Sequence, residues 1–195
     1  MLKNTLIIKN SKKNLDYAAK LLTQNQILAI PTETVYGLAG RADSDSVIKK
    51  IYKVKSRPST NPLIIHFKHI EDALAAINPD NRANLIASKF WPGPLTIVAK
   101  NRQNNISKLA TSNLTTIAIR VPSDPTTKAL LNLLEFPLAA PSANIYGKIS
   151  PTSANDVKEE LDGKISTIID GGTSEIGLES TVIDLTGSTA KILRY

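Results

Sequence analysis

Short apolar runs that stop at proline or glycine alternate with amphipathic helical patterns along the whole chain. That alternation, more than any other feature, limits how the chain can fold. Leu15, Ala18, Ala19 and Leu22 follow the spacing of one helix face, with Asn10 or Ser11 as its cap. Residues 27–30 form a short apolar strand halted by Pro31, and 63–67 read as a buried strand. Further strands are predicted at 95–99, 116–121, 137–140, 165–169, 181–185 and 191–194. Helices are predicted at 44–53, 71–77, 81–90, from Asp124-Pro125 to 134, and at 153–161. Trp91-Pro92-Gly93-Pro94 is a rigid turn between two of these elements. Strands and helices interleaved in this way specify an α/β or α+β domain, and 195 residues suit one domain with one core. The polar Gly/Pro-rich segments fall at strand ends, where ligand-binding loops usually lie.

Composition removes several chemistries. There is no cysteine, so disulfides, zinc–thiolate sites and a thiol nucleophile are excluded. The two histidines, His66 and His69, have no acidic or cysteine companions at metal spacing. No Walker loop, dinucleotide glycine fingerprint or nucleophile elbow is present. The apolar run ending at Ile8 is too short for a secretion signal or a membrane span, so the expected location is the cytoplasm. Lys plus Arg outnumber Asp plus Glu by 24 to 17, a formal charge of +7 that favours polyanionic partners such as nucleic acid or a nucleoside triphosphate. The cations cluster: between Ser46 and Ile70 there is no acid, but Lys49, Lys50, Lys53, Lys55, Arg57 and Lys68 all occur.

Four segments carry the candidate chemistry. Lys55 and Arg57, two apart, point to the same side if the segment is extended, where they clamp phosphate oxygens. As ordinary loop residues they would simply face water. Ser142 and Asn144 show the same alternation and offer neutral hydrogen bonds, or else serve as a turn. Thr34 and Ser180 are candidates for a small polar substrate or for turn hydroxyls. Arg120 lies inside the apolar strand 116–121. Burying its guanidinium requires a partner, either a ligand carboxylate or a structural carboxylate such as Glu33 or Asp184.

Together PTETVYGL (31–38), KSRPSTNPL (55–63), WPGPLT (91–96), IAIRVP (117–122), PSAN (141–144) and ESTVID (179–184) resemble, in order and spacing, the YrdC/TsaC family of threonylcarbamoyl-AMP synthases. The resemblance implies a twisted, mixed, largely parallel open sheet flanked by helices, with a deep basic cavity. It implies that residues 1–195 form one catalytic domain, without the extra C-terminal domain of longer members. The implied reaction is a nucleotidyl transfer: L-threonine, bicarbonate or CO2, and ATP give threonylcarbamoyl-AMP and pyrophosphate. Mg²⁺ is carried mainly by the triphosphate rather than by the protein. A partner transferase complex then modifies adenosine 37 of tRNAs reading ANN codons.

By position, the resemblance makes Lys55 and Arg57 the catalytic cations, forming a nucleotide-site tetrad with Ser142 and Asn144. Asn61, Thr116, Ser150 and Arg194 match further ATP contacts. Thr34, His66, Arg120 and Ser180 match the threonine pocket, with Arg120 on the carboxylate. Two positions depart from the pattern: Ala140 stands where some members supply a hydroxyl, and Ser56 where glycine is common. The rival readings are a non-catalytic module gripping structured RNA or tRNA, with weak direct RNA binding left open even for the synthase, and a carbamoyl-transfer domain of the hydrogenase-maturation type.

Overall fold

Local chemistry starts the helices where the sequence signals them. In the computed structural model, which describes residues 4–102 and 105–195, α1 (Lys12–Thr23) is capped by the Ser11 hydroxyl on the Asn14 amide and buries Leu15, Ala18, Ala19 and Leu22. In chain order the elements are β1 (Leu6–Lys9), α1, β2 (Leu28–Ile30), β3 (Gly37–Arg41), α2 (Asp45–Lys55), β4 (Ile64–His66), α3 (Ile70–Ala75), α4 (Asn81–Phe90), β5 (Leu95–Lys100), β6 (Thr116–Arg120), α5 (Pro125–Asn132), β7 (Leu138–Ala139), α6 (Ala154–Leu161), β8 (Thr167–Asp170), β9 (Thr181–Asp184) and β10 (Lys191–Arg194). Asp80 caps α4. Asp124 caps α5, with Pro125 entering its first turn, and Ser153 with Asp156 forms a reciprocal capping box on α6.

The strands form one sheet in the order β1-β8-β2-β3-β7-β4-β6-β5-β9-β10. It is open, flanked by helices and mixed, as expected, but less parallel than the resemblance implied. Only β1–β8, β2–β8, β4–β6 and β5–β9 pair in parallel, and the other five neighbours run antiparallel. Three of these pairs, β2–β3, β5–β6 and β9–β10, join consecutive strands and need no crossover helix, and β7 adds two more by entering antiparallel between β3 and β4.

β1 and β3 are the strands that the sequence pattern did not signal. β3 reads Gly-Leu-Ala-Gly-Arg, a composition typical of loops. Its glycine serves packing: a Cβ on Gly40 would lie 2.4 Å from Val47 of α2, so the helix can rest on the strand only if that side chain is absent.

Strand alternation divides the sheet into two faces, and their unequal cover creates the cavity. One face packs under α2, α3, α4 and α6, with Ile65, Ile97, Ile117, Ile119 and Ala139 among its strand residues. On the other face a smaller cluster from α1 and α5 covers β2, β3, β7 and β8, with Ile8 of β1 packed against it. Across β4, β6 and β5 that second face continues with Ile64, His66, Ala118, Arg120, Thr96 and Val98, in register with Leu138 of the covered part. The clusters contain no helical side chain over this stretch. Loops at 31–37, 140–151 and 171–180 rise around it instead.

Candidate active site

The cavity above this bare stretch has a volume of about 520 Å³ including its open mouth. Its wall takes Thr34, Gly37, His66, Arg120, Ala140, Ser142, Glu179, Ser180, Arg57 and Arg194 from segments scattered over the whole chain. Three guanidinium groups face one carboxylate there among the described residues, so the interior favours anions.

Lys55 closes the last turn of α2, and Ser56 follows in the left-handed conformation at φ 51°. This position favours glycine, which is the physical reason glycine is common there. The segment is therefore a helix end rather than the extended piece assumed from the Lys-x-Arg alternation, and the two cations diverge. Lys55 is buried, and its ammonium donates to the Ser142 carbonyl, to the Asn144 carbonyl at 2.7 Å and to the Asn144 side-chain oxygen at 3.2 Å. Burial, then the nearby Arg57 charge, pulls its pKa down to about 8. Arg57 turns to the cavity, held by its donations to the Asn61 and Pro62 carbonyls at 3.2 and 3.1 Å, with its guanidinium 5.5 Å from the centre of the Tyr146 ring. The four residues of the expected tetrad do meet. Arg57 and Ser142 line the cavity, whereas Lys55 and Asn144 brace the 142–144 loop from behind. The Asn144 amide also donates to the Lys148 carbonyl at 2.7 Å.

Arg120 ends β6 at the deep end of the cavity, 3% exposed. Its Nη1 donates to the Thr34 hydroxyl at 2.9 Å and its Nε to the Gly93 carbonyl at 3.2 Å. Its Nη2 lies 2.9 Å from a carboxylate oxygen of Glu33, an ion pair outside hydrogen-bond alignment. Of the two structural partners weighed for Arg120, Glu33 is the one present, while Asp184 instead accepts from the Thr186 amide. Arg120 is thus both ion-paired and cavity-facing. Burial alone pushes the Glu33 carboxyl up, but the Arg120 charge and the Ser123 amide, at 3.0 Å, bring it below the ordinary carboxylate range.

Three buried polar atoms here lack hydrogen-bond partners: Arg120 Nη2, Glu33 Oε2 and His66 Nδ1. Ser180 shares a 2.8 Å hydrogen bond with Thr96 and receives Arg194 Nη2 at 3.2 Å. Thr34, His66, Arg120 and Ser180 therefore converge, as expected. Ala140 lines the cavity with a methyl group, so any polar contact there falls to backbone.

His66 is buried, and desolvation followed by the Arg120 charge lowers its pKa to about 3. The folded value lies below the ordinary 6.5, so the unfolded chain takes up the proton first. His66 contributes stability that is complete above about pH 6.5 and is lost as pH falls toward 3. We expect the native chain to lose about 1.4 kcal/mol per pH unit relative to His66→Leu below pH 6.5. Urea midpoints at pH 7 and 4.5 measure this, and parallel profiles for the two proteins would refute it.

The remaining expected contacts, Asn61, Ser150 and Thr116, do not line the cavity. Asn61 donates to the Tyr146 hydroxyl at 2.9 Å, and Ser150 donates to Glu179 at 2.7 Å. Thr116 shares the bare face with Arg120 but starts the strand that Arg120 ends, about 13 Å away at 3.3 Å per residue. Sequence reasoning weighed Glu33 only as a structural partner of Arg120 and did not single out Tyr36, Tyr146 or Glu179. Tyr36, fully buried, ties the 171–172 turn to the cavity wall by donating to the Gly172 carbonyl at 2.6 Å and accepting from the Gly171 amide at 3.2 Å.

The family model Sua5_yciO_yrdC, described as "Telomere recombination", matches residues 20–195. The chain belongs to this family. Among curated Sua5/YciO/YrdC relatives it is 46% identical over 179 residues to a threonylcarbamoyl-AMP synthase of Pyrococcus abyssi, covering 91% of this chain and 52% of that one. It is 44% identical over 178 residues to the Bacillus subtilis threonylcarbamoyl-AMP synthase, with 91% and 51% covered. A putative threonylcarbamoyl-AMP synthase of Methanocaldococcus jannaschii is 31% identical over 174 residues, with 89% and 81% covered. The chain thus spans about half the length of the first two relatives. The structure of P. abyssi Sua5 complexed with L-threonine superposes with a TM-score of 0.94 at 42% identity, over 97% of this chain and 57% of that one. Among the described residues no helix is long and apolar enough to cross a membrane, and no group of three or more His, Cys, Asp or Glu is placed to hold a metal ion.

Proposed function

We propose that this chain is an L-threonylcarbamoyl-AMP synthase, acting in the cytoplasm as a nucleotidyltransferase. The observation that carries the reading is one cavity with two unlike ends. At the deep end Arg120, Thr34, His66 and Ser180 make a small, buried polar pocket; at the more exposed end Arg57, Ser142 and Arg194 present donors to anions. An amino acid fits the first and a triphosphate the second. The synthase names of the relatives and the L-threonine complex of P. abyssi Sua5 support the same assignment.

In this reading the Arg120 guanidinium, whose Nη2 is ion-paired with Glu33 but makes no hydrogen bond, holds the threonine carboxylate, and the neutral His66 offers its free nitrogen to the substrate. The threonine amine attacks CO2, loses a proton and becomes a carbamate. A carbamate oxygen then attacks the α-phosphorus, the bond to the bridging oxygen breaks, and pyrophosphate leaves. No protein nucleophile is needed, because the chain contributes proximity and charge stabilisation. Among the described residues no acidic cluster is placed for it, so a Mg²⁺ ion would draw most of its oxygen ligands from the triphosphate and water. The adenylate passes to a transferase complex acting on adenosine 37 of tRNA.

The test is pyrophosphate release from ATP with threonine and bicarbonate omitted in turn. Strict dependence on both is expected. Turnover that needs carbamoyl phosphate instead, or RNA binding without turnover, would replace this reading with one of its rivals.

A further inference from the structure

Glu179 has no part in the reaction above, yet its carboxylate sits where the reading puts phosphate. One oxygen accepts from the Ser150 hydroxyl at 2.7 Å and the other pairs with Arg194 Nη1, in the cavity wall that Ser142 also lines. A hydroxyl and a guanidinium are donors that also bind phosphate oxygens. They come from separate parts of the chain, the 142–150 loop and β10, so Glu179 holds together an anion site built from both.

Two features let this carboxylate leave. Its side chain is 34% exposed at the cavity rim, so rotation into water buries no charge. Arg194 keeps its own anchors, donating to the Ser180 carbonyl at 2.9 Å and to the Ser180 hydroxyl at 3.2 Å, and so stays in place when Glu179 moves. The Ser150 hydroxyl would likewise be freed for another anion.

We propose that Glu179 is an internal placeholder for a phosphate group: nucleotide enters by exchanging its phosphate oxygens for this carboxylate on Ser150 and Arg194. The exchange lowers affinity for the triphosphate and for the departing pyrophosphate alike, which favours turnover over product retention. The inference rests on the synthase reading in taking that end of the cavity as the triphosphate site.

Inorganic tripolyphosphate tests it by titration calorimetry on the native chain, Glu179→Gln and Glu179→Ala, with thermal unfolding as the check on folding. Removing the competing charge should tighten binding about tenfold in both variants, the scale of one hydrogen bond to a charged group. Pyrophosphate should also inhibit the variants at lower concentration. Equal or weaker binding in both variants, beside normal threonine-dependent turnover of the native chain, would overturn the placeholder and leave the synthase intact. Absence of tripolyphosphate binding in all three proteins would remove the anion site and both proposals with it.

Discussion

Lys55→Ala is expected to cut threonine-dependent pyrophosphate release by about 100- to 1,000-fold, the scale seen when one preorganised donor is removed. The structure gives this loss a specific route. The ammonium is buried and spends its donors on the Ser142 carbonyl, the Asn144 carbonyl and the Asn144 side chain. Truncation leaves those oxygens without that donor and frees the loop that aims Ser142 into the cavity. A displacement of about 1 Å in such a loop is enough to cost about 100-fold in rate. Lys55→Arg should fare almost as badly, because a planar fork cannot reproduce three donations from one compact ammonium. Initial rates at saturating ATP decide the matter. Near-normal turnover of Lys55→Ala would exclude Lys55 from both the direct and the bracing role.

The second large effect is on stability. Glu33→Met strips the buried Arg120 of its counter-charge and should destabilise the fold by about 3–5 kcal/mol, the usual result of breaking a buried ion pair from one side. Arg120→Met is expected to cost less, because the orphaned Glu33 can take up a proton whereas a guanidinium cannot lose one. The double replacement Glu33→Met/Arg120→Met should regain most of the lost stability, since apolar side chains of similar volume replace both charges. It should not regain threonine-dependent turnover. Urea unfolding of the four proteins measures the coupling directly. A single-variant loss below about 1 kcal/mol would show that the pair is not desolvated as described.

These two predictions draw on different levels of the molecule, and so did the legibility of the chain. The helices were readable because their signals are local. Ser11, Asp80, Asp124 and Ser153 each cap the amide three residues ahead, and apolar side chains at helical spacing mark the buried face. The buried strands at 27–30, 63–67 and 116–121 were readable for the same reason, since each is a run of apolar residues stopped by a proline or flanked by one. β3 was not, because the value of Gly40 lies in the helix that rests on it rather than in its own neighbours in sequence. Of the residues that the resemblance grouped, Thr34, His66, Arg120 and Ser180 converge on one cavity and Arg57 and Ser142 line it with them.

What each side chain does there was decided only in three dimensions. Two residues apart, Lys55 and Arg57 would share a side in an extended segment, but a helix end and one left-handed residue send them apart. Glu33 and Arg120 are 87 positions apart, and Glu179 and Ser150 are 29 apart. No local rule connects such pairs. The sequence by itself determined where helices and most strands lie and which residues carry charge. The tertiary structure decided which charges are neutralised, because desolvation and ion pairing depend on distances that exist only after the sheet has assembled and left part of one face uncovered.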